Sequence, residues 1–283
     1  MSKRSRAELL AESLKHRFDA DAFAPIEIDE PTAQTLSAMA GRGSCRSFTD
    51  DAVSPEVIRT LCAIALASPT KSDLQQRDII MLADPALKTR LAELVAGQDW
   101  IGSAPHIAVF CGNNRRQRQL HARSGIAFEN DHLDAFFNAA VDAGIALSAF
   151  VTAAEALGLG CCPISGVRNR IGEVSELLQL PDHVFPVAGL AFGHRADAPR
   201  VSFRLPLEVT VHEDHFSEAA LLAALEAYDA RRRENGDYPR QRRAAEFGES
   251  DNYSWSEDKA RQYNTPERST FGAHIRAIGF SLD

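Results

Sequence analysis

The sequence is poor in the patterns that announce the common chemistries. It holds five cysteines (Cys45, Cys62, Cys111, Cys161 and Cys162), an odd number with no C-x-x-C pair. Cys161 and Cys162 are adjacent, which is poor geometry for an ordinary bridge, so free thiols in a reducing compartment are expected. There is no G-x-S-x-G elbow and no P-loop lysine motif. Gly158-Leu159-Gly160-Cys161-Cys162-Pro163 begins like a dinucleotide fingerprint. It then places Pro163 where the third glycine belongs and follows a helix instead of a strand, which argues against a Rossmann site. His212-Glu213-Asp214-His215 lacks the helical context and third ligand of a zinc site and reads as a surface cluster. Basic residues are also short: 31 Lys and Arg stand against 39 Asp and Glu, a formal net charge of −8. That balance argues against a broad nucleic-acid footprint. The opening segment, MSKRSRAELLAESLKHRFD, is charged throughout and has no apolar signal core, so a cytoplasmic location is expected. One run, Phe136 to Leu157, has the length of a membrane span. It carries Asn138, Asp142 and Glu155, and ionisable groups inside a span are costly. Its small residues predict a buried soluble helix packed closely on another backbone, and no membrane association.

What remains is enough for a globular core. Of 283 residues, 45% are hydrophobic, which suits one large domain with appendages. Residues 1–40 read as helical and peripheral, with an acidic, Pro-containing linker around Ile26 to Pro31. Ser54 can cap a helix over 54–67, with Pro55 in its first turn and an apolar stripe behind. Asp84 and Pro85 open a second helix over 85–95. Strands are predicted at 77–83, 105–111, 161–164 and 184–192, and helices at 134–157, 169–178 and 216–230. Residues 231–252 are polar and read as a mobile excursion. The division expected is an N-terminal extension (1–35), a core (36–230) and a C-terminal excursion and tail (231–283). Interleaved helices and strands give an α+β or α/β class.

Arg42-Gly43-Ser44-Cys45-Arg46 is the clearest chemical feature. Two guanidinium groups four residues apart with a hydroxyl between them satisfy a phosphate dianion through charge-assisted bonds. From spacing alone, a phosphate clamp and a solvated basic turn are equally compatible with it. Ser68-Pro69-Thr70-Lys71-Ser72-Asp73-Leu74-Gln75 can offer hydroxyls and backbone N–H groups to an anion or a ring edge. It can equally be an ordinary helix-to-strand loop.

Taken in order, the segments RGSCRSFTDDAVSPEVI, ASPTKSDLQQRDIIML, GQDWIGSAPHIAVFC, AAEALGLGCCPISGVRNRIGEVSELLQLP, HVFPVAGLAFGHRADAPRVSFRLP and NYSWSEDKARQ resemble the nitroreductase superfamily. The likeness spans about 220 residues. It is greatest to the branch of NADPH-dependent oxygen-insensitive nitroreductases and FMN-containing flavin reductases. The resemblance implies an α+β nitroreductase-like fold, a central mixed sheet flanked by helices, in an intertwined homodimer with the long small-residue helix at the subunit interface. It implies FMN as cofactor and NADPH or NADH as electron donor. By motif position, Arg42, Ser44, Arg46 and Arg204 would hold the phosphate and ribityl chain. Thr70, Ser72 and Gln75 would lie beside the ring or chain, and Gln98 at the polar edge of the ring. Pro163, Ile164, Ser165 and Gly166 would pass along the ring near N5. No side chain need act as nucleophile, because hydride passes through the flavin in ping-pong fashion.

Three departures stand out. Gly43 occupies a position where the branch usually has arginine, Ser202 one where it often has a phosphate-binding lysine, and Ser165 the first place of a glycine pair. Lys71 is expected to supply the missing cation. By the resemblance, Arg240, Arg242 or Arg243 would contact an NADPH 2′-phosphate, and a solvated loop is an equally open reading of that segment. The reaction expected is reduction of nitroaromatics, quinones or flavins, with a small-molecule acceptor and no nucleic-acid partner. Two other readings remain open. One is a flavoenzyme of the same fold with different chemistry, such as reductive dehalogenation, enone reduction or an oxygen-dependent reaction. The other is a non-redox protein that binds a phosphate ligand.

Overall fold

The computed structural model describes residues 5–18, 23–95 and 97–283. Parts of the expected N-terminal extension, residues 1–4 and 19–22, lie outside the described residues. The first half of the chain forms α1 (Arg6–Phe18), α2 (Glu30–Ala40), α3 (Pro55–Leu66), β1 (Arg77–Leu82), α4 (Pro85–Val95), β2 (His106–Asn113), α5 (Arg115–Ser124) and α6 (Leu133–Ala156). The second half forms β3 (Leu159–Ile164), α7 (Ile171–Leu177), β4 (Val184–His194), α8 (Leu207–Thr210), α9 (Leu221–Glu234), α10 (Ala244–Phe247), α11 (Trp255–Tyr263) and α12 (Phe271–Ala277). Contacts divide the chain into two compact units, Arg42–Arg200 with Arg268–Asp283, and Met1–Gly41 with Val201–Glu267. This partition cuts the chain differently from a sequential division at residues 36 and 231.

The larger unit is built on one sheet in the order β1-β2-β4-β3. The α+β architecture is as expected, but the sheet is not mixed: β1 with β2, β2 with β4 and β3 with β4 all pair antiparallel. After β1 the chain leaves through α4, and the segment 97–105 returns it to the same end of the sheet, where Leu82 faces Ile107. A helix between two strands therefore does not here produce a parallel pair. Both faces of the sheet are covered. Ile107, Val109 and Cys111 of β2 pack with Leu91, Leu94, Val95, Val167 and Val174 on one side. Ala108 and Phe110 pack with Leu61, Ala146, Phe150, Ala154 and Phe192 on the other. Burial on two faces explains why β2 and β4 read as continuous apolar runs instead of alternating ones.

α6 is long and apolar enough to cross a membrane. Its small residues, Ala139, Ala143, Ala146 and Ala154, are fully buried, and they bring the helix close to α3 and the sheet. The caps sit where the sequence placed them. Ser54 Oγ accepts from the Val57 N–H at 3.3 Å, and Asp84 Oδ1 accepts from the Ala86 N–H at 2.8 Å.

In the smaller unit, α1 and α2 pair, and the buried Arg17 side chain donates to the Ala40 carbonyl from Nε (3.1 Å) and Nη2 (2.9 Å). Nη1 of Arg17 reaches the Ser202 carbonyl at 3.2 Å. The N-terminal helices are thereby tied to the strand-like segment that follows residue 200. Tyr228 and Trp255 meet edge-to-face at 5.4 Å. The 231–252 excursion, expected to be mobile, is folded. Gln241 and Ser250 exchange two hydrogen bonds of 2.8 Å, and the Arg242 N–H donates to the Tyr253 hydroxyl at 2.8 Å. Such side-chain-to-backbone links hold a segment whose composition alone predicts none.

Candidate functional site

Residues 42–48 run extended along the ends of β3 and β4. The Cys45 N–H donates to the Cys161 carbonyl at 2.9 Å, the Ala196 N–H to the Ser47 carbonyl at 3.1 Å, and Phe48 bridges Arg195. In extended chain every second side chain shares a face. Gly43 and Cys45 point inward, while Ser44 and Arg46 are exposed. Arg42, Ser44 and Arg46, expected to clamp a phosphate, thus share a side through a period of two, not through a helical turn. The glycine between them is dictated by packing. A Cβ on Gly43 would lie 2.3 Å from the Arg200 carbonyl oxygen, so the arginine that the branch usually carries there has no room.

Arg42 and Arg46 differ in what they already hold. Arg42 donates Nε and Nη2 to the two oxygens of Glu155 at 2.9 and 3.1 Å. Arg195 adds Nη2 to Glu155 Oε1 at 3.4 Å and Nη1 to the Gly43 carbonyl at 3.3 Å. Arg46 is exposed, and its guanidinium lies over the Trp100 ring, 5.9 Å from the centroid. Its charge is the one turned toward solvent. Glu155, Arg195 and Trp100 were missed from sequence. Glu155 had a signal, as an acid inside an apolar helix; Arg195 had none.

The expected ring-edge residues also meet. Gln98 precedes a single helical turn over Asp99–Ile101, and its Nε2 would lie 3.6 Å from a Cβ built on Gly166. That same Cβ would stand 2.6 Å from Val95 Cγ1. Gly166→Ala should therefore push the 163–166 segment away from Gln98. The expected result is loss of ligand affinity with the sheet intact, checked by titration alongside far-UV circular dichroism. Ile164 is buried at the end of β3, with Pro163 and Ser165 exposed on either side. Arg268, also missed, donates to Ser165 Oγ at 3.2 Å and to Asn169 Oδ1 at 3.0 Å.

The loop holding Thr70, Lys71, Ser72 and Gln75 lies elsewhere in the same unit. The Gln75 N–H donates to Thr70 Oγ1 at 3.2 Å. The Lys71 and Gln76 N–H groups donate to the two oxygens of Asp142 on α6, at 2.9 and 3.1 Å. A cavity of about 290 Å³ opens beside the loop, lined by Lys71, Ser72, Leu74, Gln76 and Asn138 among others. Asp142 and Glu155 are thirteen positions apart on α6, roughly 20 Å at 1.5 Å per residue. Within one chain, then, the Lys71 amide and the Arg42 guanidinium are anchored to acids well separated along the same helix. Ser202 and Arg204 belong to the smaller unit, where Arg204 Nη1 donates to Ser202 Oγ at 2.7 Å. Of the three arginines considered for a 2′-phosphate, Arg242 pairs with Asp258 at 3.1 Å and Arg243 with Glu246, while Arg240 is exposed.

Four of the five thiols are held away from the reactive thiolate form. Burial pushes Cys111 up to about 12 and raises Cys62, Cys161 and Cys162 as well, Cys162 against the opposing influence of Arg46 and the Ser44 hydroxyl. A reactive cysteine requires the opposite shift.

An extended segment that exposes Ser44 and Arg46, and a turn that brings Gln98 beside Gly166, are thus carried on a sheet covered on both faces. Residues 39–194 match the model of the nitroreductase family, and residues 203–283 that of the nitroreductase family, C-terminal domain. The chain belongs to the nitroreductase family. An FMN reductase [NAD(P)H] of Bacillus subtilis is 36% identical over 199 residues, covering 69% of this chain and 80% of the relative. The oxygen-insensitive NADPH nitroreductase of Salmonella typhimurium is 37% identical over 184 residues, covering 64% and 74%. Among solved structures, NfrA2 of Bacillus megaterium superimposes with a TM-score of 0.80 at 31% identity, covering 88% of this chain and 99% of that one. The NADPH:FMN oxidoreductase of Vibrio harveyi, solved with NAD+, gives 0.75 at 27% identity, covering 87% and 98%.

Proposed function

We propose that this chain is an FMN-dependent NAD(P)H oxidoreductase that passes electrons to a small organic acceptor, a nitroaromatic, quinone or free flavin, and that each flavin site is completed by a second copy of the chain. The observation that carries the reading is the exposed Ser44/Arg46 face, backed by the Gly166–Gln98 turn. The donor chemistry fits FMN. Arg46 and Ser44 suit a phosphate monoester, and Gln98 suits the polar edge of a flavin ring. FMN, when bound, supplies a hydride acceptor and donor at N5. The protein has then only to bind, orient and leave one ring face open.

Two-copy assembly is supported by the roughly 20 Å along α6 between Glu155, which holds Arg42, and Asp142, which holds the 71–76 loop. It is also supported by the apolar side chains that α3 and α6 leave uncovered: Ile64, Leu66, Phe137 and Val141 are 41–58% exposed. A contiguous uncovered apolar face marks a contact surface. With a partner in place, the loop of one copy can approach the arginines of the other, and Lys71 can still meet the phosphate from across the interface. The five free thiols suit a reducing, cytoplasmic setting.

Protein incubated with FMN and desalted is expected to be yellow, to elute as a dimer, and to bleach anaerobically with NADPH or NADH. Addition of a nitroaromatic or a quinone should restore the colour. A preparation that stays colourless ends the reading. Bleaching without reoxidation by these acceptors would point to the same cofactor in different chemistry.

A further inference from the structure

Asp142 sits in the middle of α6, fully buried among alanines. A carboxylate in such surroundings is costly unless its oxygens are satisfied. Here each oxygen accepts one backbone N–H, Oδ1 from Lys71 and Oδ2 from Gln76. Those two amides bracket a segment with an uncommon backbone. Ser72, Asp73 and Gln75 adopt φ of 48°, 55° and 51°, the left-handed region that non-glycine residues enter only at a cost. Three such residues in four positions are not a relaxed loop. They need external restraint, and strained backbone held by its surroundings concentrates where a ligand is met. A second buried side chain holds the residues just before that segment. Arg77 donates to the carbonyls of Leu66, Ser68 and Pro69 at 2.8, 2.6 and 3.0 Å.

We propose that Asp142 is a positioning residue of the flavin site: its buried carboxylate clamps both ends of the 71–76 loop from beneath and fixes the shape in which Thr70, Lys71, Ser72 and Gln75 are presented to the cofactor. This rests on the reading of the loop as part of an FMN site. It explains why an apolar, small-residue helix tolerates one acid at this depth. The side chain does not touch the ligand; it acts through two amides and the strained residues between them.

The test uses the full chain with FMN. Asp142→Asn keeps the shape but turns one acceptor into a donor facing an N–H, whereas Asp142→Glu keeps the charge and displaces it by one methylene. Both are expected to weaken FMN binding about 10- to 100-fold, the scale set by losing a charge-assisted hydrogen bond. Both should also alter the visible circular dichroism of the bound flavin, which a loss of global stability alone would not change. Amide exchange in the unmodified chain supplies a readout that needs no variant: the Lys71 and Gln76 amides should be protected before FMN is added. Failure of the unmodified chain to bind FMN removes the functional reading itself. If it binds but either variant matches its affinity and flavin spectrum, or if those two amides exchange freely, the assignment of Asp142 is overturned.

Discussion

Arg46→Ala is expected to lower FMN affinity by about 10- to 100-fold while leaving the melting temperature nearly unchanged. Hydrogen bonds to charged groups contribute roughly 1.5–3 kcal/mol, and Arg46 is exposed, so the fold loses little with it. Arg46→Lys should recover part of the loss, because an ammonium retains the charge but not the planar fork. Arg42→Ala should behave differently. It removes the bidentate partner of Glu155, whose side chain is only 6% exposed, and leaves Arg195 at 3.4 Å as its remaining described cation. Breaking a buried pair by deleting one partner costs about 3–5 kcal/mol, so Arg42→Ala should lower stability as well as affinity. Titration and thermal melts on the two variants separate the roles. Equal melting losses, or an Arg46→Ala protein that holds FMN as tightly as before, would refute the assignment of the free charge to Arg46.

Phe150→Ala should be the most damaging single change to the fold. Phe150 is fully buried. It meets Phe110 edge-to-face at 5.8 Å and Phe192 at 5.0 Å, joining α6 to both central strands. Truncation of such a ring costs about 3–5 kcal/mol through lost transfer energy and the cavity left behind. In a protein of this size that corresponds to a fall of roughly 10 °C or more in the melting temperature. Phe150→Leu should cost much less, since it refills most of the volume. A Phe150→Ala melt within two degrees of the parent would mean that α6 is not seated on the sheet through this residue.

Much of the secondary structure was legible because local rules produce it. Ser54 with Pro55 and Asp84 with Pro85 cap helices through contacts within three residues, and β2 and β4 announce themselves as apolar runs. α5 escaped notice because RRQRQLHARS has no apolar stripe, so the helical period has nothing to mark. α9 starts at Leu221 instead of residue 216, after a turn in which Ser217 Oγ accepts from the Ala219 N–H at 3.3 Å. The resemblance implied a mixed sheet, whereas every strand pair here is antiparallel. Its direction was settled by where the chain re-enters beside Leu82, which no local pattern encodes.

The site divides in the same way. Arg42, Ser44, Arg46, Gln98 and Gly166 could be named from order and motif, since the order of segments along a chain is a one-dimensional property and survives in the letters. That Glu155 takes Arg42 across 113 positions, or that Asp142 reaches Lys71 across 71, has no such trace. These pairings exist only once α6 is laid across the sheet, because a buried acid selects whichever donors folding delivers to it. Packing therefore made Arg42 a partner of Glu155 and left Arg46 exposed. It also anchored the Lys71 amide and the Arg42 guanidinium to acids thirteen positions apart on α6.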